Sequence, residues 1–319
     1  MHMTYRNFRI ASFSLALFVV SGPSCAQSLR ERIHEYRAAH QTSQAADLDD
    51  DASTGIALPP GVKVLRDVAY GDDSNQRMDV YLPRQAANAP VIFMVHGGGW
   101  RRGDKAMKSV VQNKVNRWVT RGFIFVSTNY RMLPNADPLV QAQDVATALA
   151  AAQSKAASWG GDPAKFILIG HSAGAHLVAL LSASPAMAYQ AGARPWLGTV
   201  ALDSAALDVV QIMETRHMRL YDPAFGTDPA FWRKASPFHI LSAGAPSLLA
   251  VCSSRRNDSC VQAQGFVDKA TSLNARMRVL KENLTHKEIN EQLGVQGAYT
   301  DAVEAFMTAL DGSVGRLLH

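Results

Sequence analysis

Charge is scarce in this sequence: 18% of its 319 residues are Asp, Glu, Lys or Arg, and the formal net charge is only +5. No block of lysines and arginines interleaved with aromatics occurs, so nothing supports a nucleic-acid partner. Cysteine is scarcer still, at three residues, too few for a disulfide-built scaffold and without the paired spacing of a zinc site. A His-Glu-x-x-His string is also absent, and no metal or other cofactor is expected. The apolar run from Ile10 to Val20 is too short to anchor the chain across a membrane. No internal repeat is visible. Apolar residues are plentiful, at 47% of the chain, enough to bury one large core.

The amino terminus has the grammar of an export signal. Arg6 and Arg9 precede the apolar run, and the small residues Ser24 and Ala26 follow it, which places a cut after Ala26. The mature protein is then periplasmic or secreted. Gly22, Pro23 and Ser24 lack the Leu that a lipid-attachment site at Cys25 would need. Removal of residues 1–26 takes the formal charge from +5 to +3 and leaves Cys252 and Cys260, an even pair that favours a disulfide in an exported protein. Residues 27–60 read as a helix over 28–40 and a polar, acidic linker. The run Asp47, Asp49, Asp50 and Asp51 is no calcium loop, because Ala52 and Leu58 stand where Gly and Glu are required.

From residue 61 to 319 the pattern is that of one α/β domain. VKVLRDVAYG and RMDVYLP suit an antiparallel strand pair; further strands are expected at Pro90–Gly97, Phe123–Arg131, Ala164–His171, Gly198–Ala205, Pro246–Cys252 and Met277–Leu284. Helical stretches lie between them, at Lys105–Thr120, Asp144–Trp159, Val261–Leu273 and Tyr299–Leu310. Strands alternating with helices imply crossovers and a mainly parallel central sheet with helices on both faces. Residues 207–241 break the pattern and are expected to form a short cap segment.

Two motifs end strands, at the carboxyl edge where sites of such sheets lie. In AKFILIGHSAGAH an apolar run enters Gly170-His171-Ser172-Ala173-Gly174 and a small-residue helix follows. That is strand, sharp turn, helix, with glycines where the two elements pass closely, and it presents the Ser172 hydroxyl as a nucleophile. In PVIFMVHGGGW a second buried strand runs into His96-Gly97-Gly98-Gly99-Trp100. Its successive glycines leave main-chain N–H groups uncovered, as a loop that binds a developing oxyanion requires.

HGGGW followed by GHSAGAHL resembles the α/β-hydrolase fold, in the branch of small carboxylesterases and lipases that includes feruloyl-esterase-like enzymes and kynurenine formamidases. The resemblance covers about residues 60 to 312. It implies a triad in the chain order serine, acid, histidine. After Ser172, His286 in LTHKEIN follows the last core strand and is the expected base. Asp258, in CSSRRNDSC after the strand PSLLAVC, is the expected acid, with Asp203, Asp208 and Glu282 as rivals. Cys252 and Cys260 bracket Asp258, so their disulfide would pin the acid loop; Arg255 and Arg256 beside it either stay solvated or screen the carboxylate. The resemblance also carries over the oxyanion donors Gly98, Gly99 and Ala173, with Trp100 as an alternative. His96 braces that loop, and His176 points into the body. Trp100, Tyr130, His217, Tyr221 and Trp232 are candidate pocket walls, with Met213 and Phe225 beside them in the cap. Together these features imply an exported serine carboxylic ester hydrolase acting on small to medium acyl or aryl esters. The alternatives are a kynurenine formamidase with the same triad and a non-catalytic binding protein on this scaffold. Oligomeric state is not legible.

Overall fold

The apolar runs become the centre of an eight-stranded sheet of order β1-β2-β4-β3-β5-β6-β7-β8. The computed structural model describes Arg32 and residues 53–204 and 206–319. The chain divides into two units, Met1–Ala46 and Asp47–His319. Of the first, only Arg32 is described, exposed and helical. The expected export signal over 1–26, the rest of the helix expected over 28–40 and the acidic run Asp47, Asp49, Asp50 and Asp51 lie outside the described residues.

In the second unit β1 (Lys63–Ala69) and β2 (Arg77–Leu82) pair antiparallel, and β2 is antiparallel to β4 (Ile124–Thr128). The remaining neighbours are parallel: β3 (Ala89–Val95), β5 (Gly161–His171), β6 (Gly198–Leu202), β7 (Leu248–Ser253) and β8 (Met277–Glu282). Buried on both faces, β3, β6 and β7 carry no exposed residue, as inner parallel strands require. β1 is largely exposed along its length, as befits an edge.

Alternation along β3 and β5 feeds two cores. Val91, Phe93, Val95, Phe166 and Leu168 face one side; Ile92, Met94, Ile167 and Ile169 face the other. The first side is covered by α2 (Pro138–Lys155) and α3 (Ala173–Ala183), the second by α1 (Lys108–Trp118), which supplies Trp118, and by a late helix at Ala298–Leu310, which supplies Phe306. α2 begins earlier than the helix expected from Asp144, because Asp137 caps it through Leu139 N and Val140 N and Pro138 opens it. The end of the expected linker is docked: Thr54 bridges to Met107, and the Lys108 amide donates to Ser53 O at 2.8 Å.

A small α4 (Ala186–Gln190) precedes β6, and between β6 and β7 the expected cap is a string of short helices, α5 (Val209–Met213), α6 (Asp222–Phe225), α7 (Pro229–Lys234) and α8 (Pro237–Ile240). After β7 comes α9 (Ser259–Ser272); after β8 come α10 (His286–Glu291), α11 (Ala298–Leu310) and α12 (Gly312–Leu318).

Candidate active site

Five loops meet at the carboxyl edge of the sheet, because β3, β5, β6, β7 and β8 all run the same way and end there. Ser172 joins β5 to α3 with φ 56° and ψ −118°, a conformation that costs a non-glycine residue on the order of 1–3 kcal/mol. The turn is this tight because its glycines have no side chains. A Cβ on Gly170 would lie 2.3 Å from Gly174 O, and one on Gly174 would lie 2.3 Å from Val95 O. The Ser172 amide is tied to Leu202 O at 2.9 Å. Ser172 therefore stands at the start of α3 beside the loop that follows β3.

That loop is also under backbone constraint. Gly98 has φ 112° and room for no Cβ, which would sit 2.1 Å from Arg102 O; Trp100 itself has φ 61°. His96 contacts Gly97 O through Nδ1 at 2.7 Å, the bracing role expected of it. Gly98, Gly99 and Ala173 border the same cavity as Ser172. Among the described residues the Gly98 and Gly99 amides donate to no main-chain carbonyl.

His286 opens α10, held by a capping box in which Thr285 Oγ accepts from Glu288 N and the Glu288 carboxylate accepts from Thr285 N. Its Nδ1 is 2.6 Å from Asp203 Oδ2. This corrects the expectation of Asp258. Asp203 follows β6, the strand hydrogen-bonded to β5, so it comes up directly beside Ser172. Asp258 lies in the loop before α9, its side chain 46% exposed, paired 3.3 Å from Arg256 Nη2. The sequence signal for Asp203 was its place at the end of the strand GTVAL.

Asp203 is fully buried, with a positive φ of 54°. The Ser253 amide donates to its Oδ1 at 2.7 Å, the Ser259 hydroxyl donates to the same oxygen, and Arg256 Nη1 donates to its Oδ2 at 2.9 Å. Burial alone would raise its pKa, but Arg256, His286 and Ser259 outweigh burial and hold it well below the ordinary carboxylate range. Asp203 is therefore ionised near pH 7. For His286, burial is the largest effect and lowers the pKa; neighbouring His171 and Arg256 lower it too, against Asp203, which raises it. The imidazole is neutral near pH 7, with a hydrogen on Nδ1 facing the carboxylate.

The cavity over these residues has a volume of about 460 Å³. Gly98 to Arg102 line it from the loop after β3, and Ser172 and Ala173 from the turn after β5. Asp203, Ser204 and Ala206 follow β6; Met218, Leu220 and Tyr221 come from the cap, and Arg256 from the loop after β7. Of the expected walls, Trp100 and Tyr221 are here, their rings 5.9 Å apart. Three expected walls are elsewhere. Tyr130 is fully buried, its ring stacked on His96 and its hydroxyl donating to His96 O. His217 contacts Thr215 O and the Asp222 carboxylate instead, and Trp232 donates Nε1–H to Phe225 O. Met213 and Phe225 do not line the cavity either; Phe225 packs under Trp100. His176 points inward as expected, accepting from Trp100 Nε1 at 3.2 Å and reaching Ala235 O at 2.7 Å. Among the described residues no three His, Cys, Asp or Glu side chains are grouped to hold a metal ion.

The family model BD-FAE matches residues 78–264, more than half of the chain. The chain belongs to the BD-FAE family. The match takes in Ser172, Asp203 and Arg256 and stops short of His286. This BD-FAE chain is 29% identical over 296 residues to the probable carboxylic ester hydrolase LipM of Mycobacterium tuberculosis, covering 80% of the chain and 66% of LipM. It is 29% identical to esterase LipC of the same organism, over 64% of the chain and 54% of LipC. It is 34% identical to a probable isoprenylcysteine alpha-carbonyl methylesterase of Oryza sativa subsp. japonica, over 37% of the chain and 28% of that protein. The BD-FAE chain thus spans between about a quarter and two thirds of the length of these curated relatives. In three dimensions it resembles a truncated carbohydrate esterase from gut microbiota, with TM-score 0.68, 19% identity, and 80% of this chain and 99% of that chain covered. It also resembles esterase B from Lactobacillus rhamnosis, with TM-score 0.65, 17% identity, and 91% and 96% covered. The BD-FAE chain has the α/β-hydrolase fold these neighbours share.

Proposed function

We propose that the protein is a serine carboxylic ester hydrolase in which Ser172 is the nucleophile, His286 the general base and Asp203 the orienting acid. The observation that carries this reading is the 2.6 Å contact between His286 Nδ1 and Asp203 Oδ2 at the strand edge that also presents Ser172. With Nδ1 holding its hydrogen against the carboxylate, Nε2 has the free lone pair that a serine proton needs. Ser172 Oγ attacks the ester carbon, its proton passes to His286, and the oxygen that becomes negative is met by the amides of Gly98, Gly99 and Ala173. Collapse expels the alcohol, which takes the proton from His286, and leaves an acyl-serine. Water then repeats the sequence on the acyl-enzyme and frees the acid.

The aromatic and aliphatic walls, Trp100, Met218, Leu220 and Tyr221, suit small to medium acyl or aryl esters at a cavity of this size. The similarity to proteins named esterases supports the same class. Export to the periplasm or beyond, after cleavage near Ala26, belongs to the same proposal and rests on residues 1–26 alone. The test compares p-nitrophenyl acetate with N-formylkynurenine as substrates of the wild-type chain and of Ser172→Ala. Fast ester cleavage, reduced on the order of 10⁴-fold or more in the variant, is expected. Preference for the formamide, or ester cleavage that survives in Ser172→Ala, would overturn the assignment.

A further inference from the structure

The loop after β7 places a guanidinium against the Asp203–His286 pair, a group that a serine-histidine-acid mechanism does not call for. Arg256 Nη1 lies 2.9 Å from Asp203 Oδ2, 3.3 Å from Asp203 O and 2.9 Å from His286 Nδ1. Its Nη2 lies 3.3 Å from Asp258 Oδ1, and Tyr221 of the cap lines the same cavity as Arg256. The side chain is 8% exposed. The loop that carries it is closed by the Cys252–Cys260 disulfide, with the two Cα atoms 5.1 Å apart, and is stitched to the base by Ser253 Oγ donating to Leu284 O at 2.6 Å.

The hydrogen bonds define what this cation can do. A guanidinium donates and never accepts, and Nδ1 of a neutral imidazole either donates or accepts. The shorter contact, to Asp203 at 2.6 Å, takes the Nδ1 hydrogen, so Arg256 faces the ring as a charge and not as its hydrogen-bond partner. That charge orients the carboxylate through Oδ2 and opposes a second positive charge on the adjacent imidazole. We infer that Arg256 is a positioning residue that fixes the Asp203 carboxylate and keeps His286 unprotonated, and so competent as a base, in more acidic surroundings than the Asp203 pair alone would permit. The inference rests on the hydrolase reading above for its rate consequences, but not for the state of the imidazole.

Other groups face His286 as well. His171, at the end of β5, lies tilted against it at 38° with ring centroids 4.5 Å apart and contacts its carbonyl through Nε2. Further along α10, Tyr299 donates to Ile289 O, and Lys114 of α1 to Asn290 O. Arg256 and Asp203 are charged groups that touch the ring nitrogen. Asp258 touches Arg256 itself, and Tyr221 lines the cavity beside it.

The experiment compares wild type, Arg256→Gln and Arg256→Lys by the pH dependence of kcat/KM and by NMR titration of the His286 ring in a Ser172→Ala background. In Arg256→Gln the acid limb and the ring titration both move to higher pH, so the activity loss is roughly tenfold greater at pH 5 than at pH 8. Arg256→Lys keeps the charge without the planar fork; its acid limb stays near that of wild type while kcat falls. A limb and a titration that do not move in Arg256→Gln overturn the inference, whatever happens to the rate. If that variant does not fold, Arg256→Met and Arg256→Ala replace it, and an acid limb and ring titration that stay at the wild-type position in a folded variant overturn the inference. Failure of the hydrolase reading would show separately, as wild-type ester cleavage that does not depend on Ser172, and would leave the NMR comparison intact.

Discussion

Two aspartates compete for one histidine, and the strand order decides between them. Asp203 follows the neighbour of the strand that carries Ser172, whereas Asp258 is one strand further away and pairs with Arg256. Asp203→Asn should therefore cut kcat on the order of 10³- to 10⁴-fold, since the amide removes the charge and allows the wrong imidazole tautomer. Asp258→Asn should stay within about threefold of wild type, because the Asp258 carboxylate is 46% exposed and solvent screens its side of the pair. Steady-state rates of the two variants check this; equal losses would mean that the acid assignment is wrong. Ser172 was legible because its neighbours are local, two glycines that would clash with backbone if they bore side chains, and His286 because it follows the last core strand. The acid was not legible, because an Asp at the end of either strand satisfies the same chain order. Only the spatial order β5-β6-β7, a fact of sheet pairing, separates them.

At the scale of elements, the bridge between β7 and α9 is the device to test. Closing a loop of this length restricts the unfolded chain by about 2–3 kcal/mol. The bridge also fixes the ends of the segment from Ser253 to Ser259, which sends Ser253 N, Arg256 and Ser259 Oγ to one carboxylate. Replacing Cys252 and Cys260 together by alanine is expected to lower the thermal midpoint by several degrees and kcat/KM by about three- to tenfold. A lower midpoint with unchanged kcat/KM would make the bridge a stabilising staple without a hold on the site. The pair was foreseen from cysteine parity; what it holds was not, because Arg256 is one of two adjacent arginines and only one of them turns inward. Its neighbour Arg255 reaches Asn283 and Glu288 near the surface. Buried strands were readable as apolar runs. Helices were readable where they are long, but the start of α2 lay hidden in Asp137-Pro138, and α5 to α8 are too short to show a period.

Across the whole molecule, His176 joins three parts that are distant in sequence. It stands on α3, accepts a hydrogen bond from Trp100 in the loop after β3, and donates to Ala235 in the cap, which fixes it as neutral with its hydrogen on Nε2. Burial pushes its pKa down from 6.5 to about 4, against a smaller opposing pull from the Ala235 carbonyl. The unfolded chain then binds a proton that the folded chain refuses between about pH 6.5 and 4. Stability contributed by this residue is complete above pH 6.5 and is lost as pH falls through that window, by on the order of 3 kcal/mol in full. His286, also lowered by burial, acts with the same sign below 6.5. Asp203 is lowered too, so its contribution is lost only as pH falls below the ordinary carboxylate range. Thermal unfolding followed by circular dichroism should show a midpoint that drops as pH goes from 7 to 4. His176→Gln, which keeps a donor for Ala235 and cannot titrate, should show a shallower drop, with His286 supplying the remainder. An equal slope in the two proteins would mean that His176 takes up its proton without breaking the contact between cap and sheet, and that the acid sensitivity of the fold has another source.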